Sequence, residues 1–121
     1  MQIKDLPHIL FTTMNTRDLS GLEEHLSEDA VFDFPAAGTI QGKKKVLTFL
    51  KVLFRMYPRL TFTVEDVIVE GDRACAVWSN KGESKEGRPY ENRGVTILRI
   101  CNGQIVSLSD YFKDTSFVRS S

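Results

Sequence analysis

Asp110 is the residue of this chain best placed to move a proton. It lies in Val106-Ser107-Leu108-Ser109-Asp110-Tyr111-Phe112. On a strand, Val106, Leu108, Asp110 and Phe112 share one face by period two. Three of the four are apolar, so that face is predicted to be the inner one. A carboxyl among apolar side chains is disfavoured as an anion, and its pKa rises. A general acid/base working near neutral pH needs that property. The plainer alternative is a buried carboxyl that hydrogen-bonds Trp78 Nε1, Asn80 or a backbone amide. Trp78, the only tryptophan, could stack on a planar ligand or simply pack in the core. Asn80 and Asn92 could orient a ligand carbonyl or satisfy strand ends. Tyr57 and Tyr90 are possible donors at a pocket mouth, with surface packing the expectation for Tyr90.

Other chemistries find little support. His8 and His25 have no second ligand at metal spacing, so no metal is expected. Lys43-Lys44-Lys45 could attract phosphate, but cations at a helix N-terminus oppose the dipole, and a solvated face is the expectation. Cys75 and Cys101 sit in apolar, strand-like runs and read as small core residues. There is no phosphate-binding glycine loop and no Gly-x-Ser-x-Gly elbow.

The elements that must position these residues follow from periodicity. Leu6, Leu10 and Met14 mark a first helix, with Asp5 as its cap and Pro7 in its first turn. Asp18 is predicted to cap a second helix carrying Leu19, Leu22 and Leu26. Ala30 to Phe34 reads as a short strand ended by Pro35, and 36–41 as a loop or small hairpin. A third helix is predicted from Lys43 to Tyr57 and stops before Pro58. Strands follow at 60–65, 74–80, 92–101 and 104–113. Asn102-Gly103 is the strongest turn signal, because a type I′ hairpin needs positive φ at both central positions. The order predicts one α+β domain over 1–121, with three helices packed on a curved antiparallel sheet.

Composition narrows the partners. The 121 residues carry 41% hydrophobic and 26% charged residues, the balance of a folded globular chain. Sixteen basic residues offset sixteen acidic ones, so no basic surface for nucleic acid is expected. No apolar run approaches the ~20 residues that span a membrane. The N-terminus lacks the order of a signal peptide, and a cytoplasmic location is the expectation.

Asn15-Thr16-Arg17-Asp18-Leu19, Glu28-Asp29-Ala30-Val31-Phe32 and Ile40-Gln41-Gly42-Lys43 resemble the N-terminal half of SnoaL-like proteins of the nuclear transport factor 2-like superfamily. Asn102-Gly103-Gln104-Ile105-Val106 and Ser109-Asp110-Tyr111-Phe112 resemble the C-terminal half. The resemblance implies a cone-shaped sheet closed by three helices, enclosing a pocket, and a homodimer packed through the outer sheet face. It spans relatives with several chemistries, so function must come from the site. The ketosteroid isomerase base falls at Phe34, beside Asp33; its tyrosine falls at about Leu10 and its second aspartate at about Thr96. None of the three is kept. Of the limonene-epoxide hydrolase set, Asp110 survives, while the arginine and second aspartate fall on Trp78 and Asn80, or on Val77 and Ser79 without a loop gap. SnoaL-type cyclases need mainly one pocket aspartate. The resemblance therefore implies a cofactor-free site, with Asp110 as acid/base and Trp78, Asn80, Asn92, Phe34, Tyr57 and Phe112 around a small apolar or carbonyl-containing molecule. A non-catalytic ligand-binding or dimerisation module of the same fold is the alternative.

Overall fold

The computed structural model describes residues 2–35 and 37–113. The chain opens with a 3-10 turn at Ile3–Asp5, then α1 (Leu6–Thr16), α2 (Ser20–His25), β1 (Leu26–Phe34), β2 (Gly38–Gln41) and α3 (Lys43–Met56). A meander follows: β3 (Thr61–Glu70), β4 (Arg73–Glu83), β5 (Pro89–Cys101) and β6 (Gln104–Phe112). Among the described residues, six strands form one curled, unclosed sheet in the order β2-β1-β6-β5-β4-β3. The helices cover its concave face, α1 over β3 and α3 over β1.

The sheet is mixed rather than wholly antiparallel, because β1 pairs with β6 in parallel. A parallel partner needs a long crossover. Here everything between β1 and β6 supplies it. β1 is also longer than expected. Leu26 begins the strand instead of ending α2, and there it is wholly buried. At the helix starts, Asp5 bonds back to the Gln2 amide rather than capping α1. Asp18 stands one residue before the N-cap of α2, which is Leu19 and not Asp18, and its carboxylate accepts from both the Ser20 amide and the Ser20 hydroxyl, at 3.1 and 2.7 Å. Those two bonds hold its pKa below the usual carboxylate value.

Alternation along β4 decides what faces in. Ala74, Ala76, Trp78 and Asn80 are buried, while Cys75, Val77 and Ser79 point to the convex side. The expectation of two core cysteines therefore fails. Cys75 is half-buried on the outer face and Cys101 is exposed at the end of β5. Asn102 and Gly103 turn at φ 53° and 77°, as the type I′ hairpin requires. Just past this turn a bulge interrupts the register between Arg99 and Ile100. Ile105 and Leu108 are thereby both buried, and Val106 is left half-buried. The period-two face predicted for β6 holds for Leu108, Asp110 and Phe112 but not for Val106.

The core lies between helices and sheet. Leu6, Leu10 and Phe11 of α1, Leu22 of α2, and Val46 and Leu50 of α3 meet Phe32, Phe34, Leu98, Ile100, Ile105 and Leu108. Among the described residues no helix is long and apolar enough to cross a membrane.

Candidate active site

Strand register fixes the floor of the cone in three rows. Ala76 pairs with Thr96, and Thr96 with Asp110; Trp78 pairs with Gly94, and Gly94 with Phe112; Phe62 pairs with Asn80, and Asn80 with Asn92. Above this floor stand Leu10, Phe11 and Met14 of α1 and Leu50, Leu53 and Phe54 of α3. Together they enclose a cavity of about 70 Å³, room for a few water-sized molecules in the absence of side-chain movement.

The cavity wall is aromatic. Phe34 meets Phe49 and Phe112 with ring centroids 5.0 and 5.5 Å apart. Trp78 meets Phe11, Phe62 and Phe112 at 5.3–6.3 Å. The indole can lie across β5 because residue 94 is glycine. A Cβ there would sit 2.9 Å from Trp78 Cζ2 and 2.8 Å from Phe112 Cβ, and would collide with the Tyr111 carbonyl.

One hydrogen-bonded chain runs through this apolar wall. Trp78 Nε1–H donates to Thr96 Oγ1 at 2.9 Å, and the Thr96 hydroxyl donates to Asp110 Oδ1 at 2.7 Å. The indole N–H can only donate, so it occupies an acceptor site of the hydroxyl and directs the hydroxyl's single proton at the carboxyl. Burial raises the Asp110 pKa from 3.8 to about 7. The Thr96 hydrogen bond opposes the rise, and the Asp33 charge adds to it. Asp33 itself is exposed on the outer side of β1, across from Ser109. It faces away from the cavity and cannot replace the missing base at Phe34.

Asn80 is 93% buried, being 7% exposed. Its Oδ1 is fully enclosed and accepts no hydrogen bond from any described residue. Asn92 is as deeply buried but does not line the cavity. Its Nδ2 donates to Tyr90 Oη at 2.9 Å and its Oδ1 accepts from the Arg93 amide at 2.9 Å. Tyr90, expected on the surface, is half-buried and lines the cavity, its ring 5.0 Å from that of Tyr57. Burial and the nearby Glu86 charge raise the Tyr57 pKa.

Phe34, Tyr57, Trp78, Asn80, Asp110 and Phe112 thus line one cavity, and Asn92 stands behind it. Leu10, Phe34 and Thr96 also line it. The positions assigned from the resemblance share the cavity although their side chains have lost the isomerase chemistry. Sequence reasoning missed two contributors. Thr96 registered only as a lost aspartate, and its pairing with Asp110 is a matter of register. Arg17 registered only as part of a motif. It ends α1 in the left-handed region at φ 66° and donates to the carbonyls of Pro58, Tyr57 (3.0 Å) and Leu60 (3.4 Å). Its guanidinium lies 5.8 Å from the Phe54 ring centroid. Asn15 adds a two-way bond with the backbone of Phe62, at 2.7 and 3.0 Å. The end of α1 therefore holds the segment that leads from α3 into β3.

Solved structures share this architecture over nearly the full chain. IdmH from Streptomyces antibioticus, a candidate polyketide cyclase, is 23% identical, with a TM-score of 0.84 and coverage of 98% of this chain and 97% of that one. A nuclear transport factor 2-like protein of unknown function from Burkholderia pseudomallei is 20% identical, with a TM-score of 0.87 and the same coverage. TerC, co-crystallised with polyporic acid, is 17% identical, with a TM-score of 0.84 and coverage of 97% and 95%. No curated protein matches the chain in sequence. The SnoaL-like domain family matches residues 9–108, most of the chain and all of the strands that carry Trp78, Asn80 and Thr96, and the protein belongs to that family.

Proposed function

We propose that this protein binds a small, largely apolar carbonyl compound in the cone and catalyses proton transfer at the carbon next to the carbonyl, with Asp110 as acid and base. The observation that carries this reading is the Trp78–Thr96–Asp110 chain inside an aromatic wall. It points a carboxyl with a pKa of about 7 into an apolar cavity. Near neutral pH both protonation states are populated. The carboxylate takes the proton from the α-carbon, and the C–H electron pair becomes the enolate. The protonated carboxyl then returns that proton to carbon or oxygen. In a cyclisation the enolate carbon bonds a second carbonyl of the same molecule, and Asp110 protonates the new alkoxide. No cofactor enters these steps. TerC, which shares this architecture, was co-crystallised with polyporic acid, and that supports a small organic ligand for this chain. A ring system needs side chains such as Met14 and Phe54 to turn aside from the narrow cavity.

Exchange of the α-protons of 2-tetralone in deuterated buffer, followed by proton NMR, tests the proposal. Acceleration by roughly 10²–10⁴-fold is expected, the range for a single acid/base group. Its loss in Asp110→Asn is also expected. Equal exchange with wild type and variant refutes Asp110 as the base. A second reading, ligand binding without turnover, is favoured by Leu10 and Phe34 at the two positions where an isomerase carries its tyrosine and its base. Binding of 2-tetralone without exchange is its signature.

The convex face supports a homodimer. Ile68, Cys75 and Ile97 form one outward row, and Val77, Val95 and Tyr111 the next. Ile68 is 55% exposed and Tyr111 56% exposed, apolar surface that a solvated sheet face usually avoids. Light scattering is expected to give a dimer mass for wild type and a monomer mass for Ile68→Lys. A wild-type monomer refutes the assembly.

A further inference from the structure

Asn80 has no evident structural reason to be polar. It stands on the concave side of β4, one inward position beyond Trp78, among Phe62, Leu60 and Tyr90. Its Oδ1 is fully enclosed and receives no hydrogen bond from the described residues. Buried polar atoms are nearly always paired, because an unpaired acceptor forfeits its hydration for nothing. The neighbouring amide shows the contrast. Both ends of Asn92 are engaged by the protein, through Tyr90 Oη and the Arg93 amide. Asn80 lines the cavity and, among the described residues, keeps an amide oxygen, with two lone pairs, that accepts no hydrogen bond.

Its placement relative to Asp110 is set by register. Asn80 pairs with Asn92, and Asp110 pairs with Thr96. Four residues of β5 therefore separate their rows, ~13 Å along the strands, and two strand spacings separate them laterally, ~10 Å. Asp110 and Asn80 address opposite ends of an elongated molecule, with the Trp78 and Phe112 rings between them.

We infer that the molecule held in this cavity carries an O–H or N–H group directed at Asn80 Oδ1, at the end remote from the carbonyl acted on by Asp110. This inference rests on the carbonyl-compound reading above and adds to it a required donor. Asn80 is then a specificity-determining residue. It rejects analogues that cannot donate, because they leave the oxygen buried and unpaired. Apolar shape alone discriminates far less than such a group.

The test uses two probes of nearly equal shape, 6-hydroxy-2-tetralone and 6-methoxy-2-tetralone. Each places an enolisable ketone on one ring and the substituent at the far end of the other. Calorimetric titration of the full chain is expected to show the hydroxy compound binding about tenfold or more tightly than the methoxy compound, the range for satisfying one buried acceptor. Asn80→Leu is expected to erase the preference by weakening only the hydroxy compound. Equal wild-type affinities overturn the inference, as does tighter binding of the methoxy compound or a preference that survives in Asn80→Leu. Should Asn80→Leu fail to fold, the wild-type comparison alone decides. Catalysed α-proton exchange in both probes with equal affinities leaves the carbonyl reading standing and removes only the donor. Binding of neither probe removes both.

Discussion

Asp110→Asn isolates the energetic consequence of the buried carboxyl. In the folded chain its pKa is raised from 3.8 to about 7, chiefly by desolvation. The folded state therefore holds this proton over a pH range in which the unfolded chain has released it. Stability from this group is full below pH 3.8, falls as pH rises through the window, and is gone above about pH 7. Complete loss corresponds to about three pKa units, roughly 4 kcal/mol. Between pH 5 and pH 8 the share lost is about 2–3 kcal/mol, and less where cavity water reaches the carboxyl. Asparagine cannot ionise, and its Oδ1 can still accept from the Thr96 hydroxyl, so the variant keeps the network and removes the titration. Urea unfolding of both proteins at several pH values gives the difference, and groups common to both cancel. Wild type is expected to lose about 2–3 kcal/mol relative to Asp110→Asn from pH 5 to 8. A constant difference across that range refutes a carboxyl held neutral by burial. A difference that moves in wild type's favour with rising pH shows an anion stabilised by partners the structure does not contain.

Further substitutions at three positions probe the elements that place the carboxyl. Thr96→Val keeps the shape but leaves Trp78 Nε1–H without an acceptor and Asp110 without its donor. A cost of ~1–3 kcal/mol is expected in denaturant unfolding, with a further rise of the Asp110 pKa in carbon-detected NMR. Gly94→Ala puts a methyl against Trp78 and the Tyr111 carbonyl. It is expected to destabilise by roughly 1–3 kcal/mol and to shift the fluorescence of the single tryptophan. Arg17→Ala releases three carbonyls between Tyr57 and Leu60 and is expected to speed amide exchange at residues 57–62. Arg17→Gly loses the same bonds but is expected to be ~1 kcal/mol less destabilising, because φ 66° suits glycine.

The local patterns were legible. Period 3.6 in Leu6–Met14 and in the segment from Val46 to Phe54, the alternation of Leu60, Phe62 and Val64 with exposed neighbours, and the Asn102-Gly103 turn each follow from neighbours in sequence. What eluded a linear reading was pairing between distant strands. The parallel contact of β1 with β6 is set by tertiary packing, not by either strand's composition. Bulges in β3 and β6 were equally invisible, and the one in β6 displaced Val106 from the face it had been assigned. Cys75 went wrong for a related reason: an apolar run does not say which of its faces turns inward until Trp78 and Asn80 have been placed. Thr96 could have been found by asking what pairs with Asp110 across the Asn102-Gly103 hairpin, since that turn begins the register. The bulge would still have shifted the count by one. Arg17 offered no local signal, because its partners are backbone carbonyls some forty residues away.

Two polar groups of the cavity, Asp110 and Asn80, carry opposite signatures, and together they separate a site from a core. Asp110 is embedded in a chain of donors that fixes one oxygen and tempers its desolvation. Such a network could be structural, as buried carboxyls elsewhere are. Asn80 is supported by no such chain, and a sequence selected only for packing would place leucine or phenylalanine beside Phe62 and Trp78. An enclosed acceptor lowers the stability of the free protein. It is retained where something other than the fold makes use of it. A closed core needs neither group, and a solvent-filled cleft would leave neither perturbed. An apolar cone with a near-neutral acid at one row and an unpaired acceptor two rows away is the arrangement expected of a cavity whose complement arrives from outside the chain.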